Sequence, residues 1–71
     1  MKTTVREAHR ELVSLGYVMV RQRGSHMLYK HPVTGFNVIV PSTRGLQGGD
    51  LKLHKFLKLL NQAREGAQSA L

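Results

Sequence analysis

A histidine at a glycine corner is the residue of this chain best placed to do chemistry. His26 closes the run Arg21-Gln22-Arg23-Gly24-Ser25-His26, which follows Gly16-Tyr17-Val18-Met19-Val20 and leads into Met27-Leu28-Tyr29-Lys30. An imidazole takes and gives protons near neutral pH. Guanidinium and ammonium groups beside it would hold a phosphate. Arg21, Arg23, Lys30 and Arg44 are the candidates for phosphate contact, while Gly24 and Ser25 shape the turn that presents His26. Neighbouring cations favour the neutral imidazole and hence the role of general base. RNA carries its own nucleophile, the 2′-hydroxyl next to each phosphate, so a base, an acid and charge stabilisation suffice to cleave it. Arg23 to Met27 also spells a remnant left by cleaved expression tags. Its internal position and patterned flanks mark it as native here.

Composition narrows the choices. The chain has 71 residues and a formal net charge of +7, from eleven Lys and Arg against four Asp and Glu. No carboxylate occurs from Leu12 to Gly49, so positive potential gathers over the centre of the domain and favours nucleic acid or an acidic protein surface. A metal site is not expected, because that stretch lacks acids and His26 and His31 are not at ligand spacing on one face. There are no cysteines, which excludes disulfides and thiolate zinc sites. No cofactor motif is present. The absence of a membrane-length apolar run and of a signal-peptide core predicts a cytoplasmic protein.

The elements that must position His26 follow from periodicity. Thr4 with Glu7 three residues on forms a capping box, and Val5, Ala8, Leu12 and Leu15 share a face, predicting a helix over 5–15. His9 stands at the edge of that stripe as a packing residue. Strands are predicted over 17–23, 25–31 and 36–40, with turns at Gly24 and at Pro32-Val33-Thr34-Gly35 and a stop at Pro41. His31 caps the second turn. A polar, glycine-rich loop spans 42–49. A second helix runs over 50–63, with Asp50 as N-cap and Leu53, Phe56, Leu57 and Leu60 as its apolar stripe. Residues 1–63 make one domain, and 64–71 a frayed tail. The order α-β-β-β-α predicts an α+β fold, two helices covering one face of a three-stranded antiparallel sheet. Alternation assigns Val18, Val20, Met27, Tyr29, Phe36, Val38 and Val40 to the core. Arg21, Arg23, His26, Lys30 and Asn37 go to the open face, with Met19, Leu28 and Ile39 as its apolar middle.

The string Gly16-Tyr17-x-x-x-Arg21-Gln22-Arg23-Gly24-Ser25-His26-x-x-Tyr29 resembles the HicA family of bacterial toxins. So do Val38-Ile39-Val40-Pro41 and Leu53-His54-Lys55-Phe56-Leu57-Lys58. The similarity runs from Arg6 to Ala63. It implies a fold like the double-stranded-RNA-binding domain, ribosome-independent cleavage of mRNA and a HicB-type antitoxin partner. The family's essential histidine falls on His26 and its glycine on Gly24. The chain departs from many relatives at Met27, where they have a second histidine, and at Ser42-Thr43, where they have a basic residue. It departs again at both ends of the second helix. The expected function is a metal-independent toxin endoribonuclease; the alternatives are a non-catalytic RNA-binding module and a protein-interaction domain.

Overall fold

The computed structural model describes residues 3–68. The element order is helix α1 (Val5–Ser14), strands β1 (Val18–Arg23), β2 (His26–Lys30) and β3 (Asn37–Pro41), a single 3₁₀ turn (Gly45–Gln47) and helix α2 (Leu53–Gln68). The three strands form one antiparallel sheet in the order β1-β2-β3. This is the α-β-β-β-α, α+β architecture that the sequence predicts.

Each element starts and stops for a local reason. The Thr4 hydroxyl accepts a hydrogen bond from the Glu7 amide at 3.1 Å and caps α1. This supplies one of the amide partners a helix start otherwise lacks. Gly16, at φ +98°, turns the chain out of the helix, and the Tyr17 amide bonds back to Leu12. Gly24 and Ser25 make a two-residue hairpin. Gly24 sits at φ +57° and Ser25 is not in the left-handed region, the pattern of a II′ turn, whose twist matches the flanking strands.

The core lies between the helices and one face of the sheet. Val5, Ala8 and Leu12 of α1, Met27 and Tyr29 of β2, Val38 and Val40 of β3, and Phe56, Leu59, Leu60 and Ala63 of α2 are buried together with Tyr17. Burying a leucine or phenylalanine fully contributes roughly 1.5–3 kcal/mol, so this one layer carries most of the stabilisation a chain of this length can gather. The buried Tyr17 hydroxyl is satisfied by the Ala63 carbonyl at 2.7 Å.

Several expectations are corrected. Val18 and Val20 are about half exposed and do not enter the core. β1 is an edge strand, and its register with β2 shifts between Met19 and Arg21. Val18 pairs with Lys30 on the open face, Met19 pairs with buried Tyr29, and Val20 is left without a cross-strand partner. Met19 therefore belongs to the helix-covered side, at its rim. Phe36 precedes β3 and remains partly exposed, its ring lying against Gly66. Pro41 is the last residue of β3 rather than the first beyond it. Asp50 does not cap α2; it forms a bridge with Thr4, reinforced by the Leu51 amide on the Thr3 carbonyl at 2.7 Å, and the helix begins at Leu53. Leu53 and Leu57 are exposed, while Leu59 takes a place in the core. α2 continues to Gln68, with Gly66 buried; the rest of the expected tail, 69–71, lies outside the described residues.

Candidate active site

The strand register builds the site. Residues opposed across a sheet project from the same face, and the pairings give rows running across the strands. Arg23 opposes His26, which opposes Pro41. Arg21 opposes Leu28, which opposes Ile39, and Val18 opposes Lys30, which opposes Asn37. The first two rows enclose a shallow depression of about 340 Å³ lined by Arg21, Arg23, His26, Leu28 and Ile39. It lies on the face opposite the helices.

His26 is exposed, and its imidazole makes no hydrogen bond with another of the described residues. Its position is fixed instead by the hairpin. The Gly24-Ser25 turn forces Arg23 and His26 to face each other, with Cα atoms about 5.5 Å apart in such a closing pair. Among the described residues the side-chain ion pair is Arg10 with Glu7 at 3.7 Å, on α1. The arginines beside His26 are therefore unpaired, and no carboxylate lines their depression. Unpaired guanidiniums around an open imidazole suit a phosphate ester, and the Leu28–Ile39 floor suits a flat apolar group such as a base. No group of three His, Asp or Glu side chains that could hold a metal occurs among the described residues.

The expected site residues divide into three sets. Arg21, Arg23 and His26 come together. Lys30 shares their face but stands four residues from His26 along β2, about 13 Å away at the usual strand rise. Arg44 lies beyond the hairpin, where with Ser25, Pro41, Ser42 and Asp50 it lines a separate depression of about 300 Å³. That corner is held by Ser42, which is buried, gives its hydroxyl to the Gly45 carbonyl at 2.6 Å and bonds the Ser25 carbonyl through its amide at 2.8 Å. Leu28 and Ile39, expected as the apolar middle of the open face, form the floor of the His26 depression, and the residue given no place in the site by the sequence is Pro41, the cross-strand neighbour of His26. A fixed strand register would have supplied it.

Two of the other three histidines, His31 and His9, have structural partners. His31 is buried: its Nε2–H donates to the Leu15 carbonyl at 3.1 Å, and its Nδ1 accepts from the Val33 and Thr34 amides at 3.2 and 3.3 Å. These partners suit the Nε2–H tautomer, and His31 caps the β2–β3 loop. His9 Nδ1 lies 2.6 Å from the Tyr29 hydroxyl. Burial pushes the Tyr29 phenol up to about 12, so it stays protonated at neutral pH, and burial raises Tyr17 too.

Residues 5–63 of the 71 match the family described as HicA toxin of bacterial toxin-antitoxin. The chain belongs to the HicA toxin family. Among curated proteins none matches it. HicA membership makes the chain a toxin-type ribonuclease in general terms, with RNA as its substrate class and a HicB-type antitoxin as its partner class. The open sheet face of this HicA chain, backed by two helices, agrees with the RNA-binding-domain-like fold that the resemblance implied. Within the described residues, no helix is long and apolar enough to cross a membrane.

Proposed function

We propose that the chain is a metal-independent endoribonuclease that cleaves mRNA, with His26 as its catalytic residue. The observation that carries this reading is the exposed His26 imidazole paired across the hairpin with Arg23, beside Arg21, in a depression without a carboxylate. His26 takes the proton of the 2′-hydroxyl as the oxygen attacks the adjacent phosphorus. The 2′-O–P bond forms, the P–O5′ bond breaks, water protonates the departing 5′-oxygen, and the imidazolium returns its proton to the hydroxide left behind. The products are a 2′,3′-cyclic phosphate and a 5′-hydroxyl. Arg21 and Arg23 hold the non-bridging oxygens, where charge builds in the phosphorane. Gly24 and Ser25 fix the turn. Lys30, at the far end of the face, and Arg44, beyond the hairpin, attract the flanking backbone rather than the scissile phosphate. No cofactor is needed.

A HicB-type antitoxin would cover this face, its acidic and apolar side chains meeting Arg21, Arg23, Leu28 and Ile39 and masking His26. We place the activity in the cytoplasm, where mRNA is found. The test is incubation of the purified protein with a long mixed-sequence RNA in EDTA, alongside His26→Ala. Fragments with cyclic-phosphate ends from the native protein alone support the reading. Intact RNA in both lanes, from folded protein, refutes it and leaves binding without cleavage.

A further inference from the structure

The depression at His26 does not end at the sheet edge. Ile39, 55% exposed, is its wall on β3. The same residue lines a second depression of about 260 Å³, between β3 and α2, together with Pro41, Lys55, Lys58, Leu59 and Gln62. Lys55 and Lys58 are three residues apart on α2 and project to one side of it. Neither depression is lined by an acid, and neither lysine has an ion-pair partner among the described residues. A band without carboxylates thus crosses the molecule at right angles to the strands. It starts at Arg23 and Arg21 on β1, passes His26 and Leu28 on β2, then Ile39 on β3, and reaches the lysines of α2.

We propose that this band is the path of a single RNA strand, and that Lys55 and Lys58 form a second phosphate-binding subsite on the far side of Ile39 from His26. The proposal rests on the ribonuclease reading and extends it. Adjacent strands lie about 4.8 Å apart, so β1 to β3 alone spans about 10 Å. A strand held only at the arginines would be anchored on one side of His26. The lysines anchor the other side and set the scissile phosphate between two fixed points. Leu28 and Ile39 lie between them as a surface for bases, the pattern of sites that bind single strands without reading sequence.

The test compares Lys55→Gln/Lys58→Gln with Arg6→Gln/Arg10→Gln, which removes the same two charges from α1, away from the band. The probe is a fully 2′-O-methylated oligoribonucleotide of about twelve residues, within the site sizes of small single-strand binders. It binds but cannot be cleaved. Two lost phosphate contacts should lower the slope of log Kd against log salt by about 1.4 for a single strand, which is about 25-fold at 0.1 M salt relative to 1 M. On the unmethylated RNA the lysine variant should raise KM and keep kcat, and the α1 variant should match the native protein. An unchanged Kd and salt slope in the lysine variant overturns the proposal, as does an equal loss in the α1 variant. If the native protein fails to cleave RNA, the ribonuclease reading falls, and the binding comparison still decides the path.

Discussion

Two histidines five residues apart on one strand and its edge should respond to substitution in opposite ways. His31→Ala removes a donor to the Leu15 carbonyl, an acceptor shared by the Val33 and Thr34 amides, and a ring packed edge-on against Tyr17 at a centroid distance of 5.1 Å. A net hydrogen bond contributes about 1 kcal/mol, and two are lost when the shared acceptor is counted once. The ring pair adds about 1 kcal/mol. The expected loss is about 3 kcal/mol, against a total of roughly 4–10 kcal/mol for a domain of this length. At about 4–8 °C per kcal/mol, the melting temperature should fall by about 12–24 °C. Gly16→Ala should give the same kind of loss, because a Cβ there would stand 2.8 Å from His31 Nε2 and at φ +98°. His26→Ala touches an exposed side chain without a hydrogen bond, so its stability should stay within about 0.5 kcal/mol of native. Its cleavage rate should fall by about 10²–10⁴, the usual contribution of a general acid or base.

The assay is a thermal melt followed by circular dichroism, paired with RNA cleavage at a temperature where every variant is folded. Under those conditions His31→Ala should cleave as the native protein does. A melting temperature for His31→Ala within about 4 °C of native, less than 1 kcal/mol on this scale, would refute the bonding argument. A large destabilisation by His26→Ala would refute the claim that its position is fixed by the hairpin and not by its own contacts.

Gly24→Ala should cost about 1–2 kcal/mol, since φ +57° is strained for a residue with a Cβ although the space around it is open; a melt and a milder Gly24→Asn variant check this, because asparagine tolerates that region better. Alkali should unfold the domain early. The neutral Tyr29 phenol persists to about 12 in the fold against 10.0 otherwise, so its contribution is complete below pH 10 and is lost as pH rises toward 12. Denaturant titrations at pH 9 and pH 11 should show a smaller drop in Tyr29→Phe than in the native protein, and equal drops would remove the phenol from the explanation.

β2, β3 and the order of the elements were legible because their signals are local and agree. Thr4 with Glu7 starts α1, Gly16, Gly24 and Gly35 stand at the corners with positive φ, and Met27, Tyr29, Val38 and Val40 alternate with less buried neighbours. The limits of α2 were less legible because its sequence has apolar residues on more than one face. Leu53 and Leu57 fit a stripe as well as Leu59 does, and what selects the buried side is the line Phe56, Leu60, Ala63, whose small C-terminal end lets Phe36 approach Gly66. That selection depends on the sheet beneath, which no local pattern encodes. Within the site, alternation put Arg21, Arg23, His26 and Lys30 on one face but gave no distances. The 13 Å or so between His26 and Lys30 follows only from the strand rise.

β1 shows why a wrong phase for its first residues still left the arginines correctly placed. Val18, Met19 and Val20 are all apolar, so alternation there has no sign. If the pairing of Met19 with Tyr29 continued regularly, Arg21 would oppose Met27 and be driven toward the core. The irregularity between Met19 and Arg21 adds one residue, and Arg21 then opposes Leu28 and Arg23 opposes His26. Such bulges re-aim side chains at the edges of sheets and beside functional sites. Gln22, displaced to the covered side, finds room against Gly45, where a Cβ would meet its Oε1 at 2.5 Å. Both guanidiniums are therefore held beside His26 by a single unpaired residue, Val20, on a strand that contributes nothing to the core but Met19 at its rim. This edge strand is where the domain gives up burial to present charge, and reading Val18 and Val20 as core missed that trade.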